Sequence, residues 1–133
     1  MLHVNQHERD GVHLVALCGE AGVAEAQELT STLIDLAASR PKRLVFDFSK
    51  LTFISSLAVG ELVSLAVSLQ RFECRIAVAG ASTMVRSALR RARLDRAYEM
   101  FDTLEVAIED LKQEPSVWFV LKQPKADRAP VTP

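Results

Sequence analysis

Leu44-Val45-Phe46-Asp47-Phe48-Ser49, then residues 50–54, then Ser55-Ser56 and the apolar run 57–69, form the stretch that decides how this chain folds. The first block is short, mostly apolar and bounded by Pro41-Lys42-Arg43 and by Ser49-Lys50, as a strand covered on both faces would be. Residues 50–54 read as a short loop, and the run after the serines predicts a helix. Between Leu57 and Phe72 the polar residues Glu61, Ser64, Ser68 and Arg71 recur at three- and four-residue spacing, which predicts one narrow wet stripe on a buried cylinder.

Ser55 and Ser56 fall where the first N–H groups of that helix have no partner along it. One reading is a cap, a hydroxyl accepting from the N–H two or three residues on. The other is a phosphorylation switch. A phosphoryl group there would meet unpaired N–H groups at the positive end of the helix dipole and add about −1.5 to −2 charge. That chemistry suits a binding switch better than catalysis.

Upstream, residues 2–8 and His13-Leu14-Val15-Ala16-Leu17-Cys18 flank the turn dipeptide Asp10-Gly11, which predicts a β-hairpin. Gly19-Glu20-Ala21-Gly22 is expected to break the chain before a helix over 23–39, with Ala26, Leu29, Leu33, Leu36 and Ala37 on one face and Pro41 beyond its end. Downstream come a strand over 75–79, a helix capped by Ser82 and running to Arg91, and a short strand over 98–101. Asp102-Thr103-Leu104-Glu105 has capping-box spacing for a last helix through Leu111. Strands alternating with helices predict an α/β fold, one domain over 1–111 with a mixed sheet of four to five strands and helices mainly on one face. Residues 112–133 read as an extension. Its apolar segment 117–121, around Trp118, is expected to add an edge strand, cover the sheet or contact a partner, and the polar, proline-bearing remainder has the composition of a disordered tail.

A length of 133 residues, 49% of them hydrophobic, suffices for one core without metal or disulfide support. A net charge of −1 argues against broad nucleic-acid binding. The N-terminal residues lack a signal-peptide pattern and no apolar run reaches the ~18 residues of a membrane span, so a cytoplasmic protein without membrane insertion is expected. Cys18 and Cys74 read as free buried thiols, and His3, His7 and His13 are poorly spaced for a metal, so no metal or cofactor is expected. Arg86, Arg90, Arg91, Arg93 and Arg96 form a local basic cluster, read as a solvated face or as a dock for an acidic partner or a phosphoserine.

Phe46-Asp47-Phe48-Ser49, Leu51-Thr52-Phe53-Ile54 and Ser56 followed by Gly60 resemble the central signature of STAS domains, the anti-sigma-factor antagonists and the cytoplasmic tails of sulphate transporters. Ile76-Ala77-Val78-Ala79-Gly80 with Ser82 and Val85-Arg86, then Leu94-Asp95-Arg96 and Phe101 to Ala107, resemble later pieces of the same pattern, so the likeness spans roughly residues 10–111. The resemblance implies a binding module in a partner-switching circuit. An unphosphorylated antagonist captures an anti-sigma factor that is itself a serine kinase, and phosphorylation of a serine at the start of the central helix ends the capture. Position by position, Ser56 aligns with the phosphoacceptor, and Ser55 is either a second acceptor or a cap. Thr52, Phe53, Ile54, Ser55, Leu57, Ala58 and Glu61 align with the partner-binding surface. Ser55 stands where the family carries an aspartate, Gly22 where it carries another acidic residue, and Leu57-Ala58 replace a Ser-Gly pair.

Two alternatives frame that reading. The same fold could serve as a constitutive adaptor or scaffold without the switch, with self-association as a homo-oligomer left open. Asp47 near the end of the central strand invites comparison with a receiver domain, but the acidic pair and the lysine such a site needs are absent from their places, so Asp47 reads as a turn-stabilising carboxylate. No catalytic residues are expected and the protein is read as a non-enzyme: neither cysteine opens a helix beside a basic partner, and there is no Gly-rich phosphate loop.

Overall fold

In a computed structural model, which describes residues 1–113, the chain begins with the antiparallel hairpin β1 (Leu2–Arg9) and β2 (Val12–Ala21), turned at Asp10-Gly11, both with positive φ. After a single 3-10 turn, Val23–Glu25, come α1 (Ala26–Ser39), β3 (Arg43–Asp47), β4 (Leu51–Ile54), α2 (Ser56–Gln70), β5 (Arg75–Ala79), α3 (Thr83–Arg91), β6 (Glu99–Phe101) and α4 (Leu104–Leu111). The six strands form one mixed sheet in the order β1-β2-β3-β5-β6, with β4 pairing β2 beyond β3. Every pairing except β1 with β2 is parallel.

The sheet has more strands than the four to five expected, because residues 51–54 are a strand rather than a loop. The Gly19–Gly22 stretch is likewise no break. β2 runs through Gly19 to Ala21 and pairs first with β3 and then with β4. Pairing across β2 supplies these residues with backbone partners that nothing in their local composition announces.

Side-chain alternation along the strands builds two cores. Val15 and Leu17 of β2, Leu44 and Phe46 of β3, and Ile76 and Val78 of β5 face α1, α2 and α3. Their neighbours Leu14, Val45, Ala77 and Ala79 face α4, whose Ala107, Ile108 and Leu111 close a smaller core. The first core holds the aromatics, with the Phe46 ring 5.6 Å from Phe48 and 6.1 Å from Tyr98. The Tyr98 hydroxyl donates to the Leu62 carbonyl of α2 at 2.8 Å, fixing the middle of that helix against the segment that follows α3. Burial pushes the Tyr98 phenol well above its ordinary range.

On the opposite face the buried Arg75 guanidinium donates to both oxygens of Glu99 at 3.0 and 2.7 Å, to the Asp110 carboxylate at 2.7 Å and to the Asp110 carbonyl at 3.1 Å. One side chain thereby ties β5, β6 and α4 together. The four-way satisfaction is what permits a guanidinium to be buried there.

Helix ends follow the polar residues beside them. Ser82 caps α3, its Oγ accepting from the Val85 N–H at 3.2 Å. Thr103 caps α4 through Val106 at 3.2 Å, while Asp102 turns away to Arg86, so the expected capping box is a single cap. After α2, where no glycine is available, Glu73 adopts the left-handed conformation at φ 57°. Cys18 and Cys74 are free and half-buried, and burial pushes the Cys74 thiol up to about 12. The segment 117–121 and the tail after it lie outside the described residues.

Candidate functional site

The parallel strands end along one edge of the sheet, and α2 starts there directly from β4. Ser55 is the cap. Its Oγ accepts from the Ala58 N–H at 3.1 Å, its carbonyl accepts from the Val59 N–H at 2.9 Å, and its own N–H donates to the Ala21 carbonyl at 2.8 Å. It is 7% exposed and fully engaged. Ser56, the first helical residue, is exposed, and its hydroxyl makes no hydrogen bond among the described residues. Of two adjacent serines, one is spent on structure and the other is free.

The strand before the cap shapes what surrounds Ser56. Gly19 pairs with Leu51 and Glu20 with Phe53, so Thr52 is an extra residue in β4 with no counterpart in β2. Its hydroxyl donates to the Gly19 carbonyl at 2.9 Å, pinning this bulge. Gly19 sits at φ +103° and a Cβ there would run into the Met1 carbonyl, so glycine is required where the strand shifts register. The bulge turns Thr52 and Phe53 outward in succession and Ile54 inward. Phe53 is 43% exposed and Leu57 48%, an apolar rim beside the Ser56 hydroxyl.

Five of the residues expected to meet a partner or carry phosphate, Thr52, Phe53, Ser56, Leu57 and the half-buried Glu61, have side chains at the surface. Ile54 and Ala58 do not. Both point into the core, Ala58 completely, so the partner surface expected to include them excludes their side chains, as it does that of the buried Ser55. The rest of α2 also departs from expectation: its outer face carries exposed Val63 and Val67 beside Gly60 and Ser64, rather than a narrow polar stripe. A Cβ on Gly60 would meet nothing within 4 Å.

Nothing in their local spacing announces that Glu20 and Glu25 gather here. Glu20 is cross-strand partner to Phe53, and the Glu25 carboxylate bends back to accept from the Gly22 N–H at 3.4 Å. A Cβ on Gly22 would stand 4.0 Å from the Phe53 ring, which places Gly22 and Glu25 beside the same rim. The β2–β4 pairing that assembles them joins residues more than thirty positions apart, beyond the reach of local spacing.

The arginine cluster is only partly brought together. Arg86 donates to Asp102 at 3.3 Å, and among the described residues no hydrogen bond or ion pair links the cluster to the Ser56 turn. Asp47 accepts from the Ser49 N–H at 3.0 Å, holding the turn between β3 and β4. Among the described residues no three His, Cys, Asp or Glu side chains could hold a metal ion, and no helix is long and apolar enough to cross a membrane.

A family model for the STAS domain matches residues 3–107. The chain belongs to the STAS domain family. Solved STAS structures share its fold. An anti-sigma factor antagonist from Mycobacterium paratuberculosis superposes with a TM-score of 0.77 at 22% identity, over 85% of this chain and 96% of that one. An anti-sigma-factor antagonist (STAS) domain protein from Planctomyces limnophilus gives 0.74 at 15% identity, over 84% and 98%. The phosphorylated form of the Bacillus cell fate determinant SpoIIAA gives 0.65 at 17%, over 83% and 98%. No curated protein matches the chain by sequence. In this STAS domain the cap is Ser55, serving by its hydroxyl, and the carboxylates beside the rim come from Glu20 and Glu25.

Proposed function

We propose that this STAS domain is an antagonist-type binding module in a partner-switching signalling circuit that controls transcription. It acts by capture rather than catalysis, in the cytoplasm, and its partner is an anti-sigma factor that is also a serine kinase. Ser56 is the phosphoacceptor. The observation that carries this reading is the division of labour at the start of α2, where Ser55 makes every capping bond and leaves the Ser56 hydroxyl exposed and unbonded.

Phe53 and Leu57 supply apolar contact around the hydroxyl, Glu61 flanks Leu57 one helical turn on, and Thr52 holds the strand that presents Phe53. Phosphorylation adds about −1.5 to −2 charge in the middle of that surface. The free N–H groups of the first turn accommodate the phosphate on its own helix. A partner that had packed an uncharged hydroxyl against apolar side chains then faces a buried charge, at a cost of about 2–5 kcal/mol.

The test is capture from the cytosol of the source organism with wild type, Ser56→Ala and Ser56→Asp as bait, with intact-mass analysis of the native protein. Retention of a kinase-like partner by the first two baits, its loss from the third and a phosphate mass on Ser56 are the expected results. Equal retention by all three, with no phosphate, defeats the switch. That outcome leaves the second reading, a constitutive adaptor on the same surface, which is favoured by Gly22 and Ser55 standing where the resemblance to antagonists would place acidic residues.

A further inference from the structure

β1 ends the sheet and, among the described residues, pairs with β2 alone, through eight consecutive residues without a bulge. The strand at the far edge, β6, is three residues long. Leu2–Arg9 contains neither proline nor lysine, so none of the usual devices closes this edge to a further strand.

The pairing decides which backbone groups are free. The Met1 carbonyl accepts from the Glu20 N–H, so alternation turns the backbone groups of His3, Asn5, His7 and Arg9 toward β2 as well. Leu2, Val4, Gln6 and Glu8 turn theirs outward, four donors and four acceptors along one edge.

We infer that a second copy of this chain adds to this edge, β1 against β1, antiparallel about a two-fold axis normal to the sheet. Such an axis keeps each face of the sheet continuous, so an outward-turned residue meets another of the same set. One register pairs all of them: Leu2 with Glu8 and Val4 with Gln6, each in both directions, with Asn5 against Asn5 on the axis. A shift of two residues either way leaves two of the eight groups on each chain unpaired.

Charge selects the same register. Phe53, Glu20 and Met1 lie on one row across the strands, and Arg9 of the second copy joins that row next to Met1. Two strand spacings, about 10 Å, then separate it from Glu20, a gap that the two side chains bridge together. Both residues are exposed, and among the described residues neither has an ion-pair partner in its own chain. The two-fold makes this contact twice. Nothing in the pairing depends on Ser56 being an acceptor.

The full chain is sized by light scattering over a concentration series. The expected mass is that of two chains, falling toward one on dilution. Gln6→Pro removes a donor on the free edge and no backbone bond to β2, so it should stay folded by circular dichroism and run as one chain. Arg9→Glu and Glu20→Arg should each raise the dissociation constant about tenfold, since the contact occurs twice, and their combination should restore it. Asn5→Cys marks the register. Residues opposed at the axis lie about 4.5 Å apart at Cα, within disulfide reach, so oxidation should link two chains. His7→Cys, four residues out of register with its own copy, should link no more than wild type with its Cys18 and Cys74. A single-chain mass at every concentration overturns the pairing, as does a dimer that survives in folded Gln6→Pro, or cross-linking through His7→Cys in preference to Asn5→Cys.

Discussion

Helices α2 and α3 open in the same way at the same edge of the sheet and differ in what surrounds the opening. Each is capped by a serine, with Oγ to N–H distances of 3.1 Å at Ser55 and 3.2 Å at Ser82, and each places a second hydroxyl at its first helical position, Ser56 and Thr83. Ser55, however, is buried and bonded to β2 through its own N–H, whereas Ser82 is exposed. Around Ser56 stand Phe53 and Leu57, and the helix continues through an open Gly60; after Thr83 come Met84 and then Arg86, tied to Asp102. A hydroxyl at a helix start is therefore not distinctive. An anchored cap beside it and an apolar rim around it are.

The sharpest way to break this comparison is to charge both openings. Ser56→Asp is expected to lower affinity for the captured partner on the order of a hundredfold, and Thr83→Asp to leave it unchanged, by titration calorimetry. Equal losses would mean that the edge as a whole, and not the α2 opening, meets the partner. Removing the caps comes next: Ser55→Ala should cost about 1–2 kcal/mol in urea unfolding and Ser82→Ala about 0.5, because water can replace the exposed hydroxyl but not the buried one.

Tyr98→Phe tests whether α2 is held independently of its cap. It removes the bond to the Leu62 carbonyl and should cost about 1 kcal/mol, with faster amide exchange in the middle of α2 and none of that change in α3. The smallest effect has the opposite sign. Gly60→Ala fills open space on an exposed helix face and should stabilise the fold by about 0.5–1 kcal/mol. If the outer face of α2 touches the partner, the same substitution weakens capture while raising the melting temperature. Unchanged affinity would confine the contact to the first turn.

The elements that local chemistry dictates were legible in the sequence. The hairpin at Asp10-Gly11, the buried strands β3 and β5, and α3 behind Ser82 stand where turn residues, apolar runs and caps put them. What was not legible depends on pairing at a distance. β4 reads as a loop because its exposure runs inward at Leu51, outward at Thr52 and Phe53, and inward at Ile54, which breaks the alternation by which a strand is recognised. Glu20 and Glu25 join the candidate site only because β2 extends past Gly19 to meet that strand. Within the site, Ser56 and Leu57 were legible as surface, while Ala58 and Ile54 were not separable from them, since consecutive residues at a strand-to-helix junction point in different directions. The exposed Val63 and Val67 fall outside any stripe argument, because α2 buries only the side that meets its neighbours.

The bulged Thr52 makes the rim a matter of arithmetic more than of chemistry. Glu20 faces residue 53 across the ladder, and Thr52 is the surplus between Leu51 and that pair, so two successive side chains point outward before the cap where a regular strand would show one. A chain shortened by that single residue would restore the alternation, with Leu51 inward, Phe53 outward and Ile54 inward, and would remove one of the two side chains from the rim. Homologues without the surplus residue should therefore offer a partner a narrower rim, one outward side chain ahead of the cap instead of two.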